Sequence, residues 1–445
     1  MSTWYENAVF YHIYPLGLTG APMENPPGTP IATRFPELEG YLPHIHALGC
    51  TAIYIGPLFE STSHGYDTRD FRQIDRRLGT EEDFVRFVRH CHEMRIRVIV
   101  DGVFNHTGRE FFAFRDIREH CGDSRFRDWY RGINFDWGSP LGDPFCYDAW
   151  QGHFELPCLN LQNPEVAQYL FDTVRFWIDT FDIDGIRLDC ANVLDFAFMR
   201  GLRQRTEAMK PDFWLMGEVI HGEYGRWVNH ETLHSVTNYE LHKSLYSGLN
   251  DHNFFEIAHN VKRLEAVGPR LYTFLENHDE DRIASKLKNR QHLPLAYLLL
   301  YTLPGIPSVY YGGEWAIPGR RTNTSDAALR PCIPIGQEPG LHCALTDYIA
   351  RLDKIHTSET AYAGGRYQEL LLTNRQYAFA RYGKDSICIT VANNDDHAAT
   401  VSVPVPVPAN NAENLMDASI IPITNGRLSL TLPGNEGVVL KIREG

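Results

Sequence analysis

Short apolar runs alternate with longer segments of helical periodicity along most of this chain. The runs fall at Val9 to Tyr14, Thr51 to Ile55, Arg97 to Val103, Ile183 to Leu188, Phe213 to Met216, Ser235 to Asn238, Leu271 to Leu275 and Ser308 to Tyr311. Patterns such as Thr80 to Met94, Pro164 to Thr180 and Gln291 to Leu303 place apolar residues at helical spacing between them. Strands and helices in strict alternation predict an α/β protein, a (β/α)8 TIM barrel with a parallel sheet. Thr80 followed three residues later by Asp83 is a variant capping box for the helix after the second strand.

Two stretches break the alternation. From Thr107 to about Gln162 the chain carries Gly, Pro, Trp, Tyr and Asp with little periodicity, too long for a simple turn. A connection of that length is functional or forms a subdomain of its own, and after the third strand it would overhang one face of the barrel. Beyond about Ala361 short alternating runs follow, Tyr377 to Arg381, Ser386 to Val391 and Gly437 to Ile442, with turn signals at Asn393 to Asp396 and Pro404 to Asn411. They predict a C-terminal antiparallel β-sandwich. Within it, Val403 to Pro408 alternates Val and Pro, and proline lacks the ladder donor, so this piece belongs on an edge or in a loop. The expected division is a barrel over 1–106 and 163–360, an inserted domain over 107–162, and a sandwich over 361–445.

Composition narrows the picture. The chain has 445 residues, 43% hydrophobic and 12% aromatic, enough for a large core. A net charge of −14 with no basic patch argues against nucleic-acid or anionic-membrane partners and suits a neutral substrate. Nine scattered cysteines without Cys-x-x-Cys pairs predict neither a disulfide framework nor a zinc site. No secretory signal and no membrane-length apolar run is legible, so a cytoplasmic location is expected.

The chemistry lies at the ends of the runs. Asp189 ends Gly-Ile-Arg-Leu-Asp, Glu218 ends Phe-Trp-Leu-Met-Gly-Glu, and Asp279 ends Asn-His-Asp. Carboxylates at the ends of separate strands are what a parallel barrel gathers at one mouth. A paired nucleophile and acid/base is the minimum equipment for cleaving a glycosidic bond with retention. Arg187 and Asp189 are two apart, so in a strand they point the same way, and the guanidinium would favour the ionised carboxylate. An adjacent carboxylate such as Asp279 would raise the pKa of Glu218, as a proton donor requires. Asp101, Asn105 and His106 end the third strand, where polar groups serve a site or simply satisfy one another. In His64-Gly65-Tyr66-Asp67 the tyrosine offers a flat face to a sugar ring, and Asp67 holds a terminal hydroxyl or caps its own loop. Trp129, Tyr130, Trp137, Tyr147, Trp150 and Phe154 crowd the long loop, some as its core and some toward the cleft.

Taken in order, these segments resemble glycoside hydrolase family 13, the α-amylase superfamily. The similar motifs are Gly65 to Phe71, Asp101 to His106, Leu156 to Asn160, Gly185 to Asp189, Gly217-Glu218, Asn277 to Asp279 and Gly305 to Glu314. The resemblance spans essentially the whole chain and implies Asp189 as nucleophile, Glu218 as acid/base and Asp279 as transition-state stabiliser. It also implies that Tyr66, His106, Arg187 and His278 line the subsite of the sugar to be cleaved. Asn192-Val193 stand where many α-amylases have Lys-His, and Arg-Leu-Asp-x-Ala-Asn is closer to the neopullulanase and cyclomaltodextrinase branch. That branch usually carries a further N-terminal carbohydrate-binding domain, whereas here the first strand begins near Val9. It often has Trp two residues after the acid/base residue, where Ile220 stands here.

The resemblance implies a retaining α-glucan hydrolase cleaving α-1,4-glucosidic bonds of linear or cyclic malto-oligosaccharides, cyclic maltosyl-maltose substrates included. An α-glucosidase or an α-glucanotransferase would use the same residues, and a non-catalytic binding protein on this fold is the reading from another class. No cofactor or metal is expected: the first βα loop lacks an Asp-x-Asp-x-Asp-Gly run, although Asn105 leaves room for calcium against the long loop. A homodimer and a monomer are both compatible with the sequence.

Overall fold

The computed structural model describes residues 3–443. Each of the eight apolar runs overlaps a strand: β1 (Phe10–Ile13), β2 (Ala52–Ile55), β3 (Arg97–Gly102), β4 (Gly185–Leu188), β5 (Trp214–Gly217), β6 (Ser235–Val236), β7 (Tyr272–Phe274) and β8 (Ile306–Tyr310), the fifth running one residue past its run and the eighth starting two before. They are hydrogen-bonded in the order β6-β5-β4-β3-β2-β1-β8-β7. A parallel bridge from Thr237 to Tyr272 links β6 to β7 and nearly closes the ring. This is the (β/α)8 barrel.

Period two along each strand decides what fills it. Phe10, Ala52, Ile99, Trp214, Tyr272 and Ile306 pack together inside as one buried cluster. Two residues further along, the inward positions turn polar, with His12, Tyr54, Asp101 and Arg187 all buried. The barrel is therefore dry through its lower part and charged at the ends of the strands. The neighbouring alternate positions, such as Ile53, Val98, Val100, Ile186 and Leu215, point outward into the main core beneath the helices.

Those helices are α1 (Phe35–Leu48), α2 (Glu81–Glu93), α3 (Pro164–Phe181), α4 (Phe196–Met209), α5 (Tyr239–Asn250), α6 (Phe254–Arg263), α7 (His292–Thr302) and α8 (Ala344–Ser358). In α2 the buried stripe is Phe84, Phe87, Val88 and Cys91, the spacing of one helix face. The capping box is formed: the Asp83 N–H donates to Thr80 Oγ1 at 3.2 Å, and the Thr80 N–H donates to Asp83 Oδ2 at 2.9 Å. Pro164 opens α3 behind the Asn163 cap.

The segment between β3 and α3 holds a helix, Phe112–His120, and a hairpin of Ala149–Trp150 with His153–Pro157. Phe114 packs edge-on against Tyr130, Phe145 and Tyr147 to give it an aromatic core. A bridge from His106 to Cys158 fastens it across the end of β3, and one from Tyr130 to Leu159 joins two parts of the segment itself.

After α8 come β9 (Arg366–Leu372), β10 (Gln376–Tyr382), β11 (Ile387–Asn393), β12 (Ala399–Pro404), β13 (Asn411–Asn414), β14 (Ile420–Thr424), β15 (Arg427–Leu432) and β16 (Glu436–Arg443). Their pairings are antiparallel, in the order β9-β10-β11-β16-β13-β14-β15-β12. Ala378, Ile389, Val401, Val403, Leu428 and Leu440 share one buried cluster within it. β12, which enters the Val-Pro repeat, pairs only with β15 and ends at Pro404, as missing proline donors require. Among the described residues no helix is long and apolar enough to cross a membrane.

Candidate active site

Arg187 organises the mouth of the barrel. It stands on β4 in register with Asp101 on β3 and Met216 on β5, so its side chain rises between both neighbouring strand ends. Its Nη1 donates to Asp101 Oδ1 and to Asp189 Oδ1, both at 2.8 Å, and Nη2 lies 2.9 Å from Glu218 Oε1. The guanidinium is 3% exposed, so three carboxylates share one desolvated cation. A planar fork with several donors does this; a lysine ammonium would not.

The three strand-end carboxylates sit in unlike surroundings. Asp189 accepts from Arg187 and from the Cys190 thiol at 3.1 Å. Glu218 accepts at Oε1 from the Tyr239 hydroxyl at 3.3 Å and at Oε2 from the Cys190 N–H at 3.2 Å. Burial pushes the Glu218 carboxyl above the ordinary glutamate range; Arg187 opposes this, while Asp189 and Asp279 add to it. Asp279 takes another environment, with Arg330 Nη2 at 3.1 Å and His278 Nε2 at 3.0 Å. Its burial would favour the acid, but His278, Arg330 and Arg187 outweigh it and hold this group well below the usual carboxylate range.

Around them, Tyr66 places its hydroxyl 3.1 Å from Asp101 Oδ2 and 2.5 Å from His278 Nε2, and its ring stacks on His278 at 5.5 Å. His106 is buried beside Asn105, whose Nδ2 lies 3.2 Å from its Nδ1, and burial lowers its pKa toward neutral imidazole. Among the described residues, His106 Nε2 and His278 Nδ1 have no hydrogen-bond partner. Buried polar atoms of that kind are completed by a bound hydroxyl or water. Asp67 spends its carboxylate on its own loop, accepting from the Ser63 N–H at 3.1 Å and the Ser63 hydroxyl at 2.8 Å. It nonetheless lines, with His64, Arg109, His153 and Glu155, a cavity of about 520 Å³ between the β2 side and the inserted segment.

The fold thus brings Asp189, Glu218, Asp279, Arg187, Tyr66, His106 and His278 to one mouth, with Asp67 at its flank. Four further groups belong to it. Asp101 is its buried floor, accepting from the Tyr54 hydroxyl at 2.8 Å besides Arg187 and Tyr66. Gly56 makes room there, since a Cβ on it would lie 2.4 Å from Asp101 Oδ2. Tyr239 follows β6 closely, so the strand-end rule that finds Glu218 could have found it. Trp150 leans over His106 at 5.8 Å, whereas Trp137 of the same segment is 70% exposed. Arg330 comes from beyond the short turn Ala327–Leu329, which no strand pattern announces.

The family model described as "Alpha amylase, catalytic domain" matches residues 38–334. "Neopullulanase 2" of Thermoactinomyces vulgaris is 32% identical over 98% of this chain and 78% of its own. A solved cyclomaltodextrinase superposes with a TM-score of 0.87 at 26% identity, covering 99% of this chain and 78% of that one. The cyclic α-maltosyl-(1→6)-maltose hydrolase from Arthrobacter globiformis gives 0.84 at 26% identity, covering 99% and 100%. By its catalytic-domain match and by a relative about one-third identical along nearly its whole length, this chain belongs to the alpha-amylase family of glycoside hydrolases.

Proposed function

We propose that the protein is a retaining α-glucan hydrolase that cleaves α-1,4 bonds of linear or cyclic malto-oligosaccharides. The observation that carries this is the division of labour among the strand-end carboxylates. Asp189 and Glu218 share Arg187, yet burial raises the Glu218 carboxyl above the ordinary glutamate range while His278 and Arg330 hold Asp279 well below the usual carboxylate range. Glu218 protonates the glycosidic oxygen as Asp189 Oδ attacks the anomeric carbon, giving a β-glucosyl ester and a free leaving sugar. Glu218, now ionised, takes a proton from water; the resulting attack on the anomeric carbon releases Asp189 and the α-anomer. Asp279 stabilises the positive charge that develops on the ring in both steps. Tyr66 stacked on His278, with His106 below Trp150, supplies the walls of the subsite. Carboxylates and water suffice for this scheme, and it uses no cofactor.

Cyclic and short substrates are favoured by the relatives' names, a neopullulanase, a cyclomaltodextrinase and a cyclic maltosyl-maltose hydrolase. Val193 and Ile220, 48% and 49% exposed just beyond Asp189 and Glu218, give the rim an apolar edge suited to sugar faces. The free cysteines, five of them buried, fit a reducing cytoplasm.

Proton NMR of fresh product from maltotriose and from a cyclodextrin tests the scheme. The α-anomer is expected first, before mutarotation; initial β-anomer, or no cleavage of either substrate, overturns it. The pH profile carries a second expectation. Glu218 must be protonated to donate, and its pKa is raised above the ordinary 4.5, so kcat/KM falls as pH rises through that raised value. An alkaline limb at or below the ordinary glutamate value contradicts the assignment.

A further inference from the structure

Three potential metal ligands meet where the barrel faces the C-terminal sheet. His252 lies in the turn between α5 and α6, His292 opens α7, and Asp396 lies in the loop between β11 and β12. One ligand atom from each lies within 4.8 Å of the other two. We propose that His252, His292 and Asp396 form a zinc site that clamps the C-terminal sheet to the barrel.

His292 supplies the first argument. Its side chain is 2% exposed, and apart from the bordering Asn435 amide neither Nδ1 nor Nε2 has a hydrogen-bond partner among the described residues. An imidazole buried in that state is costly unless something completes it.

His252 supplies the second. Its Nδ1 is hydrogen-bonded to the Asn394 carbonyl. A carbonyl only accepts, so Nδ1 carries the proton and the Nε2 lone pair is free. Histidines that bind metals hold their other ring N–H on a carbonyl or carboxylate in this manner. The anchor is itself fixed: Asn394 is fully buried, and its Nδ2 donates to the Gly248 and Leu249 carbonyls at 3.3 and 3.4 Å.

Asp396 completes the set. Its Oδ1 accepts from Asn435 Nδ2 at 3.3 Å, and its Oδ2 faces His252 Nε2 at 3.9 Å. The Asn435 amide borders His292 and leaves its own buried Oδ1 unpartnered, offering a fourth oxygen beside any water. Bonds of roughly 2.0–2.2 Å in a tetrahedron put ligand atoms about 3.3 Å apart. Small rotations of the half-buried His252 and the exposed Asp396 supply that closure. Two imidazoles and a carboxylate suit Zn²⁺ and exclude Mg²⁺ and Ca²⁺, which take oxygen ligands.

The test is calorimetric titration of the chelator-treated full chain with Zn²⁺, paired with Co²⁺ absorption spectra. His106, Asp189 and Cys190 form a second cluster of ligand-type groups, in the catalytic cleft. Its thiol would announce itself by sulfur-to-cobalt charge transfer, which separates the two locations. The expected result is one Zn²⁺ per chain, a tetrahedral Co²⁺ spectrum without that charge-transfer band, and a raised melting temperature with Zn²⁺. His252→Ala and Asp396→Asn, both on accessible side chains, weaken binding at least about tenfold and abolish the thermal shift. The inference is overturned if the wild type binds no Zn²⁺, if either variant binds as tightly as the wild type, or if Co²⁺ reports thiolate ligation.

Discussion

Asp189→Asn lowers kcat/KM on maltotriose by about four orders of magnitude or more, because the amide is too weak a nucleophile to form the ester. Glu218→Gln costs roughly 10²–10⁴-fold on the same substrate, the range for loss of a positioned proton donor. The two variants part company on α-glucosyl fluoride, whose leaving group departs without a proton. Glu218→Gln still forms the covalent intermediate from it; Asp189→Asn does not. Both fold, since Arg187 keeps two of its three carboxyl partners in either case and the surrounding side chains are unchanged. Substantial turnover of maltotriose by both variants sinks the assignment.

Arg187→Met has the second large effect, on activity and stability together. The variant leaves Asp101, Asp189 and Glu218 facing one another in a buried mouth with their shared cation gone. Breaking a buried pair from one side costs about 3–5 kcal/mol, because the remaining charge is uncompensated. Asp189 and Glu218 lose the fork that fixes their positions, and kcat/KM falls by roughly 10³-fold. Arg187→Lys restores a charge but not the fork, and recovers stability more than rate. Denaturant midpoints and kcat/KM measured on the same preparations check this. A stable Arg187→Met enzyme with near-native activity contradicts the role given to Arg187.

The barrel is legible in the sequence because its strands are buried on both faces and stand out as apolar runs between amphipathic helices. The catalytic-type carboxylates are legible because they end those runs. What the strand ends do not reveal is how side chains from different loops converge. Asp101 is ambiguous as a lone aspartate and becomes central only through its register with Arg187, across two strands far apart in sequence. Arg330 reaches Asp279 from an irregular segment after β8, where no periodicity marks it. Trp150 and Trp137 look alike in a loop rich in aromatics; the hairpin at Ala149–Trp150 tilts one over His106 and leaves the other in solvent. Asp67 shows the converse. Its motif leaves a sugar hydroxyl and its own loop equally open, and only the fold shows its oxygens accepting from Ser63, two residues before the glycine that turns the loop.

Mass spectrometry after incubation with 5-fluoro-α-glucosyl fluoride tests the central claim most directly, since this reagent forms the glycosyl ester but slows its hydrolysis. The account predicts one fluoroglucosyl adduct per chain, located on Asp189 by peptide mapping and absent from Asp189→Asn. An adduct on another residue, or a chain that turns the reagent over without passing through any adduct, contradicts it.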